Sequence, residues 1–261
     1  MTTEDIIIYI FYPVDEQMKD QPKHHNTHLH PSYVVTIGSL VALKGGHLRA
    51  FYRWLKRDFA CLFGGLPDRT HVQRQLQQRR ELTHRLLVTP TCFTGVDSFP
   101  IELLFPIRQG RSEQQIGKKG RDKGRGSVGI KLCWLLDAAG RVVGWAWNSL
   151  HVHDPTFHPL IEQQDGDTIT LSDLGFRCAA GTPRNLKLCP KGTWNERMIV
   201  ETAFSMLTVV CHSKKLFHRL ASCLETHLAY LAAMFNTLLH LYHLLHPDEP
   251  AHKMSIADFS L

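Results

Sequence analysis

The stretch whose reading decides the fold is 92-CFTGVDSFPIELLF-105, followed by 126-GSVGIKLCWLLD-137 and 141-RVVGWAWNSL-150. Each run is rich in β-branched and aromatic residues, the composition of strands. Asp137 to Gly140 reads as a turn, so the second and third runs form a hairpin. Downstream, 153-HDPTFHPLIEQQ-164 reads as a short helix and 167-DTITLSD-173 as a fourth strand ending at Asp173. The run 185-NLKLCP-190 is a candidate fifth strand. Residues 195–246 are helical in pattern, in two pieces broken near 212–215.

Upstream of this region the chain is helical and basic. Residues 1–33 form an N-terminal segment, helix or strand with Pro13 inside it, and then a linker. The linker carries His24, His25, His28 and His30 between Pro22 and Pro31 and lacks Cys partners at zinc-finger spacing. Residues 34–87 predict a helix stopped by Gly45-Gly46 and a second stopped by Gly64-Gly65. A third, capped by Asp68, follows over 69-RTHVQRQLQQRRELTHRLL-87. Two short helices, a glycine-bearing break and a third basic helix suit a helix-turn-helix module. Arg69, Gln73, Arg74, Gln77 and Arg80 would then face bases and phosphates. The same pattern also suits an exposed helix of a plain bundle. Residues 88–261 form the second region. Its order β-β-β-α-β-(β)-α-α is that of the ribonuclease-H-like fold. The expected class is therefore α/β: a mixed sheet flanked by helices, preceded by a small all-α domain.

The 261 residues, 43% hydrophobic and 21% charged, suffice for a real core and exclude a wholly disordered chain. The net charge of +6 is uneven. Residues 40–90 carry ten Lys/Arg against three Asp/Glu, and residues 108–131 carry eight against two. Two basic segments on an otherwise acidic body suggest two contact surfaces for a polyanion. Within the second, residues 108–127, with Arg108, Arg111, Lys118, Lys119, Arg121, Lys123 and Arg125, are rich in Gly and basic residues and read as a mobile loop, either solvated or offered to a polyanion. The seven Cys are scattered and odd in number, so mostly buried, reduced thiols are expected. With no secretory leader pattern at the start, a cytoplasmic location is expected. The apolar run 228–245 contains Asn236, Thr237, His240 and His243 and no basic flank. It reads as a buried core helix rather than a membrane span.

Three acids occupy suggestive places. Asp97 lies in the first strand of the second region, Asp173 ends the fourth, and Glu201 lies on the following helix. In a ribonuclease-H-like sheet the first and fourth strands are neighbours, so these acids would converge. Carboxylates without His or Cys partners suit two hard ions, Mg²⁺ or Mn²⁺, set about 3.5–4 Å apart over a phosphodiester. Trp194, Arg197 and Glu201 share one helix face, and Arg197 can meet a phosphate or form an ordinary helix pair with Glu201. His151, His153 and Asp154 stand near the end of the third strand, where Asp154 suits either the rim of a site or a helix N-cap.

These residues carry a resemblance. WNERMIVETAF (194–204) is similar to the Y-x2-R-x3-E signature of bacterial insertion-sequence DDE transposases, with Trp194 in the Tyr position and Arg197 and Glu201 matching. LSDLGF with Asp173 and VDSFPIEL with Asp97 look like the family's second- and first-acid motifs. NSLHVHDPTFHPLIE and LPDRTHVQRQL resemble further segments, so the likeness covers roughly residues 5–245. Where the family has Lys seven residues after the Glu, this chain has Thr208, with Lys214 and Lys215 a turn or two later. The resemblance implies a DNA transposase that cuts the ends of its element and joins the freed 3′ ends to target DNA. It implies Asp97, Asp173 and Glu201 as metal ligands, Arg197 on a phosphate, and double-stranded DNA as partner. It also implies a homodimer in the DNA-bound synapse and a nucleoid-associated bacterial location. A nuclease or resolvase without strand transfer, and a DNA-binding relic without catalysis, are the alternatives.

Overall fold

A computed structural model describes residues 1–23, 25, 27–45, 47–122, 125–166, 168–190, 197–250 and 253–261. Side chains at 121, 122, 125 and 197–199 lie outside this description. The protein is mixed α/β, about half helical, with a curled mixed sheet. Helix α1 (Thr3–Met18) opens with a capping box in which the Asp5 N–H donates to Thr2 Oγ1 and the Thr2 N–H donates to Asp5 Oδ2. Helix α2 (Pro31–Lys44) starts inside the expected linker, because Pro31 has its φ preset for the first helical position. Helices α3 (Leu48–Asp58) and α4 (Arg69–Gln78) follow, the latter capped by Asp68, whose Oδ1 accepts from the Thr70 and His71 N–H groups. The helix expected to run to residue 87 ends at Gln78 and continues as a 3-10 turn over Arg80–Leu86.

The sheet contains β1 (Phe93–Leu104), β2 (Lys118–Asp122), β3 (Arg125–Asp137), β4 (Val142–Ser149), β5 (Ile169–Ser172) and β6 (Leu186–Leu188). Short helix α5 (His158–Glu162) precedes β5, and helices α6 (Arg197–Val209) and α7 (Ala221–Leu245) follow β6. The strands run in the order β2-β3-β1-β5-β6, with β4 also on β3. Strand β1 pairs antiparallel with β3 and parallel with β5. The expected mobile loop at 108–127 is corrected in part: residues 118–122 are a strand. Strand β4 covers β3 only from Ile130 to Leu136, so the backbone groups of β3 before that point need another partner, and β2 supplies it.

Side-chain alternation gives the sheet two covered faces. On one face Phe99 stacks on Phe204 of α6, with ring centroids 5.1 Å apart, and Trp134 packs against Phe204 and Phe235. On the other, Val96, Cys133, Leu135 and Val143 pack with Phe157, Leu160, Ile161 and Phe176. The expected boundary at residues 87/88 is not a break in packing. Helices α1 and α2 lie on α7, and one hydrophobic core runs from Ile6 to Phe259. At Gly38 of α2 any Cβ would fall 2.3 Å from carbons of the Tyr230 ring, so only glycine permits this close approach to α7. The cysteine expectation is corrected too. All seven are free, but only Cys133 and Cys211 are buried, while Cys61 and Cys92 are exposed.

Helix α7 is the one described helix long and apolar enough to cross a membrane, and 78% of its most apolar window is buried inside the protein. An all-apolar circumference of this kind is what a central helix needs. Its polar residue Asn236 is satisfied: Oδ1 accepts from the Val142 N–H at 2.7 Å, and Nδ2 donates to the Val142 and Leu86 carbonyls at 2.8 and 2.9 Å. Asn236→Ala strands the Val142 N–H and the Leu86 carbonyl, while the Val142 carbonyl keeps the Val88 N–H as donor, and should lower unfolding free energy by about 2–4 kcal/mol, read from urea denaturation followed by tryptophan fluorescence.

The same helix buries His227, whose ring lies 5.1 Å from that of His218. Burial lowers His227 to about 3 and His218 to about 4, with His218 adding to the first shift and His47 to the second. Both folded values lie below the ordinary value of 6.5, so the unfolded chain takes up these protons first. Their contribution to stability is complete above about pH 6.5 and is lost as pH falls towards the folded values. The urea midpoint should therefore drop more between pH 7 and pH 4.5 in the wild type than in His227→Leu.

Candidate functional site

The parallel ladder between β1 and β5 places two of the expected acids. Phe93, Thr94 and Gly95 pair with Ile169, Thr170 and Leu171. Asp97 stands two residues beyond the last of these pairs on β1, and Asp173 stands two residues beyond it on the other side, just past the end of β5. Both side chains are half-buried. Asp97 Oδ1 accepts from the Ser98 N–H at 2.7 Å. Asp173 Oδ1 accepts from the Gly175 N–H at 2.9 Å and caps the turn over Leu174–Phe176.

A third carboxylate joins this rim from a different element. Asp154, the first residue of the 3-10 turn Asp154–Phe157, is not the N-cap weighed for it; His153 holds that position. Asp154 Oδ1 instead accepts from Ser98 Oγ at 2.7 Å and Lys131 Nζ at 2.8 Å. A Cβ at Gly175 would stand 2.9 Å from Asp173 Oδ1 and 3.2 Å from Asp154 Oδ2, so the two carboxylates crowd one glycine. Burial, and then the charges of Asp97 and Asp154, push the Cys133 thiol well above its ordinary range. Ser98 thus connects the two acids through its backbone and its hydroxyl. Sequence reading singled out Asp154 but missed Ser98 and Lys131. The signal for both was strand alternation, which sets residues 98 and 131 on one face.

Glu201 is exposed on α6, one turn before Phe204. Because Phe204 stacks on Phe99, and Phe99 shares its strand face with Asp97, Glu201 and Asp97 belong to the same side of the sheet. Asp154 occupies the opposite side with Lys131 and Ser98. Among the described residues, no three His, Cys, Asp or Glu side chains gather closely enough to hold a metal ion. Asp97 and Asp173 carry hard oxygens of the kind Mg²⁺ and Mn²⁺ take. Trp194 lies outside the described residues, and Arg197 is described only as the first residue of α6.

The expected DNA contacts divide. Arg69 and Arg74 are exposed on α4, but its glutamine face is turned inward. The amides of Gln73 and Gln77 donate to Cys223 Sγ at 3.9 and 3.2 Å, and Arg80 pairs with Glu225 at 2.6 Å. The outward reading of Gln73, Gln77 and Arg80 is therefore corrected: that face docks on the start of α7. Arg108, Arg111, Lys118, Lys119 and Lys214 are exposed. Lys215 is ion-paired with Glu102 at 2.7 Å, in a segment that hydrogen-bonds to the edge of β1 through Glu102. Arg121 and Arg125 are described through their backbone alone, and Lys123 lies outside the described residues.

No known protein family's model matches the chain, and no curated protein is significantly similar to it in sequence. The geometry makes its own demand on Lys131, the cation beside Asp154, with 19% and 22% of the two side chains exposed. Lys131→Met should lower stability by about 1–3 kcal/mol, because it leaves a half-buried carboxylate without its counter-charge. The change in urea midpoint relative to wild type checks this.

Proposed function

We propose that the chain is a polynucleotidyl transferase of the DDE transposase kind, built on a ribonuclease-H-like sheet. The observation that supports this reading is the parallel β1–β5 ladder, which pairs Phe93, Thr94 and Gly95 with Ile169, Thr170 and Leu171 and so puts the segments carrying Asp97 and Asp173 on adjacent strands. In a ribonuclease-H-like sheet the first and fourth of the expected strands lie side by side, and here these are β1 and β5. Asp97 and Asp173 would hold divalent ions, with Glu201 approaching from α6 on the same side of the sheet as Asp97. A bound pair of Mg²⁺ or Mn²⁺ would supply Lewis-acid polarisation of a phosphodiester and a nucleophile active at neutral pH. Lys131 neutralises Asp154 at the rim, which limits the repulsion an incoming phosphate meets there. Arg197, one turn before Glu201, would contact a phosphate flanking the scissile bond, and the exposed Arg108, Arg111, Lys118 and Lys119 would follow the backbone. In this reading the partner is the terminal DNA of the chain's own element inside a bacterial cell, and a homodimer joins the two ends.

A second reading, a DNA-binding relic of the same descent, is favoured by the exposed position of Glu201 outside any metal-holding group among the described residues. One experiment separates the two: end-labelled DNA carrying the element's termini, incubated with the protein and Mn²⁺. The transferase reading expects cut and joined products. Asp97→Asn and Asp173→Asn should each reduce cutting by at least about 10²-fold while gel-shift binding persists. Cutting at the wild-type rate by either variant removes that residue from the site, cutting without joining makes the protein a nuclease, and binding without cutting makes it the relic.

A further inference from the structure

Away from the acids, two cavities of about 430 and 690 Å³ share a wall made by His47, Phe217 and His218. Together they form one trough between α3, α4, the start of α7 and the segment after β1. Arg49 and Arg69 line the first cavity, and Arg108, Arg111 and Arg219 the second. No Asp or Glu lines either, and none of the five arginines has an ion-pair partner among the described residues. Such a concentration of unneutralised guanidinium groups costs self-repulsion and is relieved by a polyanion.

The trough is also aromatic. Phe105 and Phe217 are 50% and 54% exposed, and the ring of His47 lies 5.8 Å from that of Phe217. Lys215 Nζ sits 3.6 Å from the Phe105 centroid and 5.8 Å from that of Phe217, held there by Glu102. Both half-exposed rings therefore flank a fixed cation. At the apolar end of the trough, buried His227 Nε2 has no hydrogen-bond partner among the described residues. Open aromatic faces, free guanidinium groups and an unmatched polar atom in an apolar recess suit one kind of polyanion. Single-stranded nucleic acid offers phosphates, flat apolar faces and polar base edges together. A duplex keeps its base faces stacked inside and leaves the two phenyl rings with nothing to cover them.

We propose that this trough binds single-stranded nucleic acid, with bases stacked on Phe105 and Phe217 and phosphates met by the five arginines. The proposal goes beyond the transferase reading: it shares Arg108 and Arg111 with that reading's backbone contacts but uses none of Asp97, Asp173 or Glu201, so it can hold where cutting fails. The test is fluorescence anisotropy on the full chain, with a labelled oligothymidine, a duplex of the same length, and polyglutamate as competitor. Oligothymidine should bind at least about tenfold tighter than the duplex, and Phe105→Ala with Phe217→Ala should weaken it about tenfold or more. Both rings are half-exposed, so the melting temperature of that double variant should stay at the wild-type value. Arg108→Glu with Arg219→Glu should flatten the dependence of log affinity on log salt. Asp97→Asn should bind oligothymidine like the wild type, whether or not DNA cutting is observed. Unchanged affinity in the phenylalanine double variant, equal affinity for the duplex, or displacement by polyglutamate at matched charge would each overturn the proposal.

Discussion

The molecule depends on burying one helix completely. Helix α7 is apolar on nearly every side, so it must be wrapped, and α1, α2, the 3-10 turn before β1, and β4 wrap it. A helix so enclosed can carry a polar residue only where that residue finds partners. Asn236 meets three backbone groups from two separate elements and thereby sets the helix at one position against the hairpin edge. Tyr230 adds a second tie, its hydroxyl donating to the Leu76 carbonyl on α4. The N-terminal helices and the sheet are consequently parts of one core, whatever the composition of the first 87 residues suggests.

That core fixes where the acids can go. Strand β1 is held by β3 along most of its length, by β5 at its start and by the segment containing Lys215 at Glu102. Between those last two contacts its edge is left to the carboxylates. The sheet then acts as a divider. Alternation sends Asp97 and Ser98 to opposite faces, and Ser98 reaches back to both acids, through its N–H to Asp97 and through its hydroxyl to Asp154. The arrangement is polar, half-buried and partly neutralised by Lys131, and it lies beside the point where a short parallel strand ends. Crevices at the carboxyl ends of parallel strands are where such sheets commonly bind ligands.

Much of this was legible from the chain. The strands at 92–105 and 126–137, the Asp137 turn, the Asp68 cap and the Gly45 stop rest on local chemistry, and local chemistry is written in adjacent residues. Strand β2 was not legible, because its residues are basic and glycine-bearing; what makes it a strand is the uncovered length of β3. The inward turn of Gln73, Gln77 and Arg80 was hidden for a similar reason. A polar helix face carries no mark of which way it points until α7 arrives with Cys223 and Glu225. The role of Asp154 was ambiguous in sequence because an Asp before a Pro suits a cap as well as a rim, and only the placement of Ser98 and Lys131 decides between them.

By itself, then, the sequence determined most element types, all the strands but β2 and the presence of three ordered acids, because hydrophobic period and turn chemistry act over a few residues. Tertiary structure alone decided that β1 and β5 are parallel neighbours paired from Phe93 to Gly95. It also decided that Glu201 and Asp154 lie on opposite sides of the sheet, and that arginines from residues 49 to 219 line one trough. These are contacts between residues far apart in the chain. Their geometry is set by how the faces of the sheet and the buried helix pack, a constraint no short window of sequence contains.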